Sequence, residues 1–279
     1  MGLVKYTKAP IHCNSGVVLG AHFSLSAGRV LRLSLALAHV HHGRVLLLLD
    51  IGNTHTHAAR AGAHRIFGAV NWPTSAWHDG EMPARLVRQF GGRRINAAAM
   101  CSVVPSATQI ARRELARGWK LKPFELNHKT VRGLGLDYPS PQTIGPDRLA
   151  NAVAARHQYG APSVVVDFGT AVTFDVVDNA GNYSGGIIAP GLAAMTSYLH
   201  EKTALLPEIR IREIPAVIGK STEEAMLIGA VHGYRGLIRE LIQKLKRELK
   251  CRRLPVIATG GYAALMARSS RKSLPSIRC

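Results

Sequence analysis

The stretch VLLLLDIGNT, residues 45–54, decides the fold. A run of aliphatic residues ends on a single carboxylate, Asp50, and the chain turns at once into Gly52 and small polar residues. A short aliphatic segment bounded by glycine is typical of a strand that is buried on both faces. The stretch therefore predicts a buried strand ending in an acidic turn, and the question is what that turn binds.

The same pattern occurs a second time, as SVVVDFGTA at residues 163–171. Asp167 ends this strand as Asp50 ends the first, 117 positions earlier (167 minus 50). An internal repeat at this spacing predicts two similar α/β lobes, residues 45–160 and 161–279. We expect a ligand to bind between the lobes, where the two acidic turns meet.

Strand and helix patterns alternate around the two turns. In the first half the pattern predicts strands within 58–70, 95–105 and 122–127 and helices at 83–90, 106–118 and 149–160. In the second half it predicts strands within 163–190 and 254–259 and helices at 191–207 and 221–249. Gly118 and Gly160 are expected to end helices. Gly229, Gly233 and Gly236 disfavour a helix energetically, so they predict close packing against another helix.

The residues of the acidic turns suit phosphate better than they suit proteolysis or glycoside hydrolysis. Gly52 and Gly169 would let backbone N–H groups approach phosphate oxygens. The donors for those oxygens are Asn53, Thr54, Thr170 and Thr173. A carboxylate repels phosphate but can hold a cation, usually Mg²⁺ through water. Taken singly, each Asp is better explained as a turn cap, whereas the matched pair favours the nucleotide interpretation.

Histidine and cysteine spacing argues against a metal or redox centre. His55 and His57 would face the same side of a strand, but no third ligand follows at a recognisable spacing, so zinc is disfavoured. His57 could instead contact phosphate. The four cysteines form no C-x-x-C pair, which suggests a reducing cytoplasm and a core role for Cys101.

The composition bounds the class of protein. The 279 residues are 47% hydrophobic, and no apolar run is long enough to span a membrane. A formal charge of +19 fits either a polyanion such as nucleic acid or small anionic substrates. Residues 1–44 match no secretory signal, and we interpret them as a flexible extension outside the fold.

Six motifs in order make the chain resemble the type III pantothenate kinases of the acetate and sugar kinase/Hsc70/actin superfamily. The motifs are DIGNT (50–54), GPDR (145–148), DFGTAVTFD (167–175), GGIIAPG (185–191), GKST (219–222) and ATGG (258–261). The resemblance implies two ribonuclease H-like (actin-like ATPase) lobes with a nucleotide cleft between them. It also implies ATP-dependent phosphorylation of pantothenate to 4'-phosphopantothenate, the first step of coenzyme A biosynthesis, by a cytoplasmic homodimer with its active site at the subunit interface.

The resemblance also implies roles for individual residues. Asp147 would accept the proton of the pantothenate hydroxyl, and Asp167 would hold potassium or ammonium. The expected ATP contacts are Asp50, Ile51, Gly52, Asn53, Thr54, His55, Thr56, His57 and Thr170, with Mg²⁺ as cofactor. The expected pantothenate contacts are Tyr138, Gly145, Pro146, Asp147, Arg148 and Thr222, and Arg148 offers a planar two-pronged donor to the substrate carboxylate.

Two alternatives remain open from the residues alone. Asp147 directly precedes a helical pattern, where an acid is favourable whatever its catalytic role. The charge of +19 leaves room for a non-catalytic regulatory or DNA-associated protein on the same fold. The chain departs from the family at both ends: 44 residues precede Val45, and only 18 residues follow Gly261 (279 minus 261), ending in the atypical SSRKSLPSIRC (269–279), which resembles no core element.

Overall fold

The first lobe is built on a five-stranded sheet of order β3-β2-β1-β4-β5. The computed structural model describes residues 45–62, 66–92, 95–268 and, for the backbone, 277–278. β1, β2 and β3 form an antiparallel meander, and β4 and β5 continue the sheet in parallel on the other side of β1. The strands are β1 Leu46–Ile51, β2 His55–Ala61, β3 Ile66–Pro73, β4 Ala97–Ser102 and β5 Phe124–Glu125.

The second lobe repeats this arrangement in a six-stranded sheet of order β11-β10-β7-β8-β9-β6. β7, β8 and β9 form the antiparallel meander, and β10 and β11 continue in parallel beside β7. β6 adds a short edge strand parallel to β9. The strands are β6 Gly135–Leu136, β7 Ser163–Phe168, β8 Ala171–Val177, β9 Asn182–Pro190, β10 Val256–Gly260 and β11 Ile277–Arg278.

The matching strand orders confirm the predicted fold of two ribonuclease H-like lobes. In both lobes the strand that ends on the acid lies at the centre, between its antiparallel hairpin partner and a parallel crossover strand. β1 is buried on both faces, as its aliphatic run predicts: Leu48 packs in one core cluster and Leu47 in another. Each such leucine contributes about 1.5–3 kcal/mol by leaving water.

Seven α-helices are described, and the third lies between the lobes. They are α1 Met82–Phe90, α2 Pro105–Trp119, α3 Pro146–Tyr159, α4 Leu192–Lys202, α5 Thr222–Ile228, α6 Tyr234–Glu248 and α7 Ala263–Ala267. α3 packs against β7 and β8 of the second sheet and against β4 of the first. Its residues 149–155 are all buried. The first turn of α3 is therefore held at the junction of the two lobes.

One predicted helix end is wrong. Gly118 does not end α2, which continues to Trp119 and is closed by Lys120 in the left-handed conformation (φ 56°). Close packing of Gly229, Gly233 and Gly236 against another helix stays a prediction, since a Cβ at any of them would meet nothing within 4 Å among the described residues. Gly229–Gly233 forms a turn of π-helix between α5 and α6.

The ends of the chain fall largely outside the described residues. This holds for the predicted extension, residues 1–44, and for residues 269–276. The expectation that the last segment resembles no core element is wrong for Ile277 and Arg278, which pair with Val256 and Ile257 as a further parallel strand. The lobe boundary at residue 160 stays a prediction. Among the described helices, none is long and apolar enough to cross a membrane.

Candidate active site

The two acidic turns meet across the lobes, as the repeat predicts. The hydroxyls of Thr54 and Thr170 lie 2.9 Å apart and share a hydrogen bond, although 116 residues separate them in the chain. Asp50 and Asp167 stand at the ends of β1 and β7, and each is only 7% exposed. The strands thus place two mostly buried carboxylates and a set of small donors on one cleft.

Two glycines allow other segments to approach the second turn closely. A Cβ on Gly191, just before α4, would collide with the carbonyls of Gly169 and Thr170. Gly260 has a φ of 90°, and a Cβ there would lie 2.5 Å from an Asp167 oxygen. The GGIIAPG and ATGG motifs therefore supply the backbone that encloses the second turn, because no side chain fits at either position.

The residues predicted to contact ATP divide into two groups. Asn53, Thr54, His55 and Thr170 are exposed, and Gly52 is half-buried. Ile51 and Thr56 are fully buried and His57 is 8% exposed. Side chains of the second group lie beneath the turn, so Ile51 and Thr56 can reach a nucleotide only through their backbone.

Asp147 lies in the first turn of α3, as expected of an acid before a helical pattern. The helix begins at Pro146 after Gly145, and Asp147 Oδ1 accepts a hydrogen bond from the Arg148 N–H at 2.9 Å. A Cβ on Gly145 would lie 2.5 Å from that carboxylate oxygen. The GPDR motif thus combines a helix start with a carboxylate that only a glycine neighbour leaves room for.

Arg148 forms a buried ion pair that the sequence patterns did not reveal. Its Nε donates to Asp175 Oδ1 at 2.6 Å, and one terminal nitrogen donates to the Phe174 carbonyl at 3.3 Å. Asn151 Nδ2 donates to Asp175 Oδ2 at 2.8 Å and lies 3.4 Å from Asp167 Oδ2. One chain of hydrogen bonds therefore links Arg148 to the carboxylate at the end of β7.

Burial governs the charge of Asp175. The carboxyl is fully buried, and desolvation raises its pKa to about 6, against the opposing effects of Arg148 and Asn151. Asp175 is the last residue of the DFGTAVTFD motif, and the motif alone predicts no role for it. The sequence marks Asp175 only as an acid at an inward position of a strand, where a buried charge needs a partner.

Two tyrosines line the same region. The rings of Tyr138 and Tyr183 pack edge to face with centroids 6.0 Å apart, and the Arg148 guanidinium lies 5.7 Å from the Tyr183 ring. Burial raises the pKa of the Tyr183 hydroxyl, so the phenol stays protonated. Gly185 approaches the Tyr138 ring, and a Cβ on Gly186 would lie 2.5 Å from a terminal nitrogen of Arg148. The absence of a side chain at Gly186 thus makes room for Arg148.

An open cavity of about 600 Å³ adjoins the enclosing segments of the second turn. It is lined by α4, by the extended residues 208–211 and by Tyr262, which directly follows the ATGG motif. Thr222 is exposed at the start of α5. Within the part of the chain that the structure describes, no group of three or more His, Cys, Asp or Glu side chains could hold a metal ion.

Comparison with known proteins identifies the family. The model of the type III pantothenate kinase family matches residues 46–244. A type III pantothenate kinase of Akkermansia muciniphila is 48% identical over 80% of this chain and 88% of its own length. One from Methylacidiphilum infernorum is 44% identical over 83% of each chain. A solved Campylobacter jejuni structure, described as a Baf family transcriptional activator, has a TM-score of 0.49 at 21% identity over 82% of this chain and 89% of that one, which is too distant to bear on function. The site geometry and the family match agree, and the chain belongs to the type III pantothenate kinase family.

Proposed function

We propose that this protein transfers the γ-phosphoryl group of ATP to the hydroxyl of pantothenate and releases ADP and 4'-phosphopantothenate. The observation that carries the proposal is the convergence of the acidic turns on one cleft, with Arg148 linked through Asp175 and Asn151 to Asp167. This chain of bonds would bring a substrate held at the start of α3 beside the acidic turn that ends β7, as transfer of a phosphoryl group to its hydroxyl requires.

Asp147 is the proposed proton acceptor. The pantothenate hydroxyl oxygen forms a bond to the γ-phosphorus, the bond to the bridging oxygen of ADP breaks, and the hydroxyl proton passes to the Asp147 carboxylate. Because the transition state of phosphoryl transfer is loose, Asp147 mainly orients the hydroxyl and takes its proton late. Its place at the start of α3, beside Arg148, supports the assignment.

Arg148 would bind the pantothenate carboxylate with the part of its guanidinium that Asp175 leaves open. Nε and one terminal nitrogen already donate to Asp175 and to the Phe174 carbonyl. The other terminal nitrogen and the ring of Tyr138 would then define the substrate side of the pocket. Asp175 holds the guanidinium plane in one orientation, which limits the entropy that substrate binding must overcome.

ATP would place its phosphates between the two acidic turns and its adenine in the cavity beside Tyr262. Oxygen ligands suit hard cations, so Asp50 would hold Mg²⁺ through water and Asp167 a potassium or ammonium ion. Bound Mg²⁺ neutralises charge on the phosphate oxygens during transfer. Each carboxylate stands near the end of the central strand of its lobe, beside the threonines of an acidic turn, and this position supports the assignments.

The direct test is ADP release coupled to a spectroscopic readout, with pantothenate, ATP, Mg²⁺ and potassium present together. Omission of pantothenate is the control for simple ATP hydrolysis. Absence of pantothenate-dependent ADP release would contradict the proposal. If the alternative of a DNA-associated protein held instead, a gel shift with random duplex DNA would appear and weaken steeply with salt.

A homodimer fits the exposed apolar side chains of the second lobe. Leu205 is 89% exposed, and Val217 and Ile218 are 76% and 72% exposed. Large apolar side chains that stay exposed in one chain are typical of residues that a partner covers. Thr222 follows Ile218 closely on the same exposed segment, so a substrate contact from Thr222 is compatible with a site at the subunit interface.

We expect Ile218→Asp to convert the protein from dimer to monomer in analytical ultracentrifugation at micromolar concentration, because a charge would be buried in the interface. Val87→Asp is the matched control, since Val87 is 55% exposed on α1 of the first lobe and should leave the dimer intact. A wild-type protein that sediments only as a monomer would contradict the proposed assembly.

The pH dependence of pantothenate use should report Asp175. The pKa of this carboxyl is about 6 in the folded protein, so it becomes protonated below pH 6 and then attracts Arg148 less strongly. Below pH 6 we expect kcat/KM for pantothenate to decrease by up to about tenfold for each pH unit, while KM for ATP changes less. A profile that stays level from pH 7 to pH 5 would show that ionised Asp175 is not required.

A further inference from the structure

We infer that Thr74, a buried residue outside all six motifs, is the positioning residue that sets the backbone of the first acidic turn for phosphate binding. The inference rests on the proposed ATP-dependent function. Thr74 is 3% exposed and opens the short 3-10 helix Thr74–Trp77 that follows β3. It holds both ends of the turn Gly52–Thr54 with two separate bonds.

The first bond is made by the side chain and the second by the backbone. Thr74 Oγ1 donates to the Gly52 carbonyl at 2.7 Å. The Thr74 N–H donates to the Thr54 carbonyl at 2.9 Å. The two bonds leave the turn little freedom, because one fixes the peptide group that follows Gly52 and the other fixes the peptide group that follows Thr54.

The direction of the hydrogen bonds follows from the groups at the two ends of the chain. The indole N–H of Trp77 can only donate, and it lies 3.0 Å from Thr56 Oγ1. The Gly52 carbonyl can only accept. Thr56 Oγ1, at 3.1 Å from Thr74 Oγ1, must therefore donate to Thr74, which donates onward to Gly52. All three side chains are at least nine-tenths buried, so each bond strengthens the next in a low-dielectric setting.

Fixing the Gly52 carbonyl also fixes the following N–H. In a trans peptide the C=O of one residue and the N–H of the next point in opposite directions. Because the Gly52 carbonyl points inward to Thr74, the N–H of Asn53 points away from Thr74, on the exposed side of the turn. Backbone N–H groups aimed outward from such a turn are what an anion site requires.

The buried position of Thr56 receives an explanation from the same chain of bonds. The resemblance implied that Thr56 contacts ATP, yet its side chain is 0% exposed. Its hydroxyl instead passes the bond from Trp77 to Thr74. The hydroxyls of Thr56 and Thr74 therefore act on the nucleotide through the turn and not by direct contact.

The test compares steady-state kinetics of the full chain with Thr74 changed to Val and to Ser. Thr74→Val keeps the shape and removes the hydroxyl, so the Gly52 carbonyl loses its donor. We expect KM for ATP to rise about tenfold, which is the loss of one buried hydrogen bond, with KM for pantothenate unchanged. Thr74→Ser keeps the hydroxyl and should restore the wild-type KM for ATP.

Thr130→Val is the matched control for hydroxyl loss in the same lobe. The Thr130 hydroxyl donates to the Glu125 carbonyl at 2.6 Å, away from the acidic turns. The Thr130→Val substitution should lower the melting temperature without changing KM for ATP or KM for pantothenate. If Thr74→Val does not fold, Thr56→Val removes the middle link of the chain, and a smaller rise in KM for ATP is then expected.

The outcomes separate this inference from the proposed function. An active wild type with an unchanged KM for ATP in Thr74→Val, or with both KM values raised equally, would overturn the role of Thr74. An inactive wild type would overturn the proposed function. In that case ATP binding measured by titration calorimetry decides the role of Thr74. Weaker ATP binding by Thr74→Val than by the wild type supports the role. Equal ATP binding by the two proteins, or no binding by either, overturns it.

Discussion

Replacing Asp147 by Asn is expected to lower kcat by about 10²-fold or more, because the pantothenate hydroxyl loses its proton acceptor. Asn has the same shape and still accepts the Arg148 N–H through its amide oxygen, so the start of α3 should be preserved. KM for ATP should change little, because the nucleotide turns follow β1 and β7 and Asp147 lies on α3. Coupled ADP release with saturating pantothenate measures the effect.

The control for Asp147→Asn is the same substitution at Asp79, an exposed carboxylate in the first lobe. Asp79→Asn should retain wild-type turnover. Equal turnover by Asp147→Asn and the wild type would remove Asp147 from the proposed chemistry and leave it as a favourable charge at a helix N-terminus. That result would decide between the two interpretations of this residue that its sequence position allows.

Replacing Asp175 by Asn should lower kcat/KM for pantothenate by about 10²-fold while leaving the protein folded. The charge-assisted bond that orients Arg148 is lost, and such bonds contribute about 1.5–3 kcal/mol. The neutral amide can still accept one hydrogen bond from Arg148, so the pocket should keep its shape. Steady-state kinetics with pantothenate varied at saturating ATP checks the expectation.

The effect of Asp175→Asn on stability follows from the raised pKa of the carboxyl. The folded value of about 6 exceeds the ordinary value of 3.8. Stability from this group is therefore fully present below pH 3.8 and is lost as the pH rises through about 6. At pH 8 the wild type bears the cost of a buried carboxylate, so the variant should unfold at an equal or higher denaturant concentration.

Asp178→Asn is the control for Asp175→Asn. Asp178 lies three residues later and accepts the Asn182 N–H at 2.8 Å in the turn between β8 and β9. The Asp178→Asn variant should be less stable than the wild type but should keep its affinity for pantothenate. The opposite pattern, with Asp175→Asn less stable but normal in KM, would show that Asp175 supports the fold and does not position Arg148.

The strand pattern and the fold could be predicted because they depend on local signals. Aliphatic runs, their period and the glycines at their ends predicted the central strands and most helices. One error arose because glycine is only one of the residues that can end a helix. Gly118 can end a helix, yet α2 gains one more residue and ends at Trp119, with Lys120 as its cap. Packing of the glycines after α5 against another helix stays a prediction, and Gly229–Gly233 forms a π-helical turn.

The functional assignment of individual residues was predictable only as far as the motifs reach. Asp147, Arg148 and the acidic turns lie in motifs, and the bond between Thr54 and Thr170 brings the two turns together. The roles of Asp147 and Arg148 stay predictions. Asp175 also belongs to a motif, but the motif does not reveal its contact with Arg148, which lies 27 positions away in the chain. No periodicity reports which buried acid meets which buried base, because that choice depends on how α3 packs on β8.

The sequence by itself determined the repeat of strand and acidic turn, and with it the two-lobed fold and the family. These follow from the order of residues along one strand and one turn, where each neighbour is known. Only the tertiary structure decided that Thr74 anchors Gly52 and that Asn151 connects Asp175 with Asp167. Such contacts join segments that are distant in the chain, and their partners are selected by packing and by the need to satisfy buried polar groups.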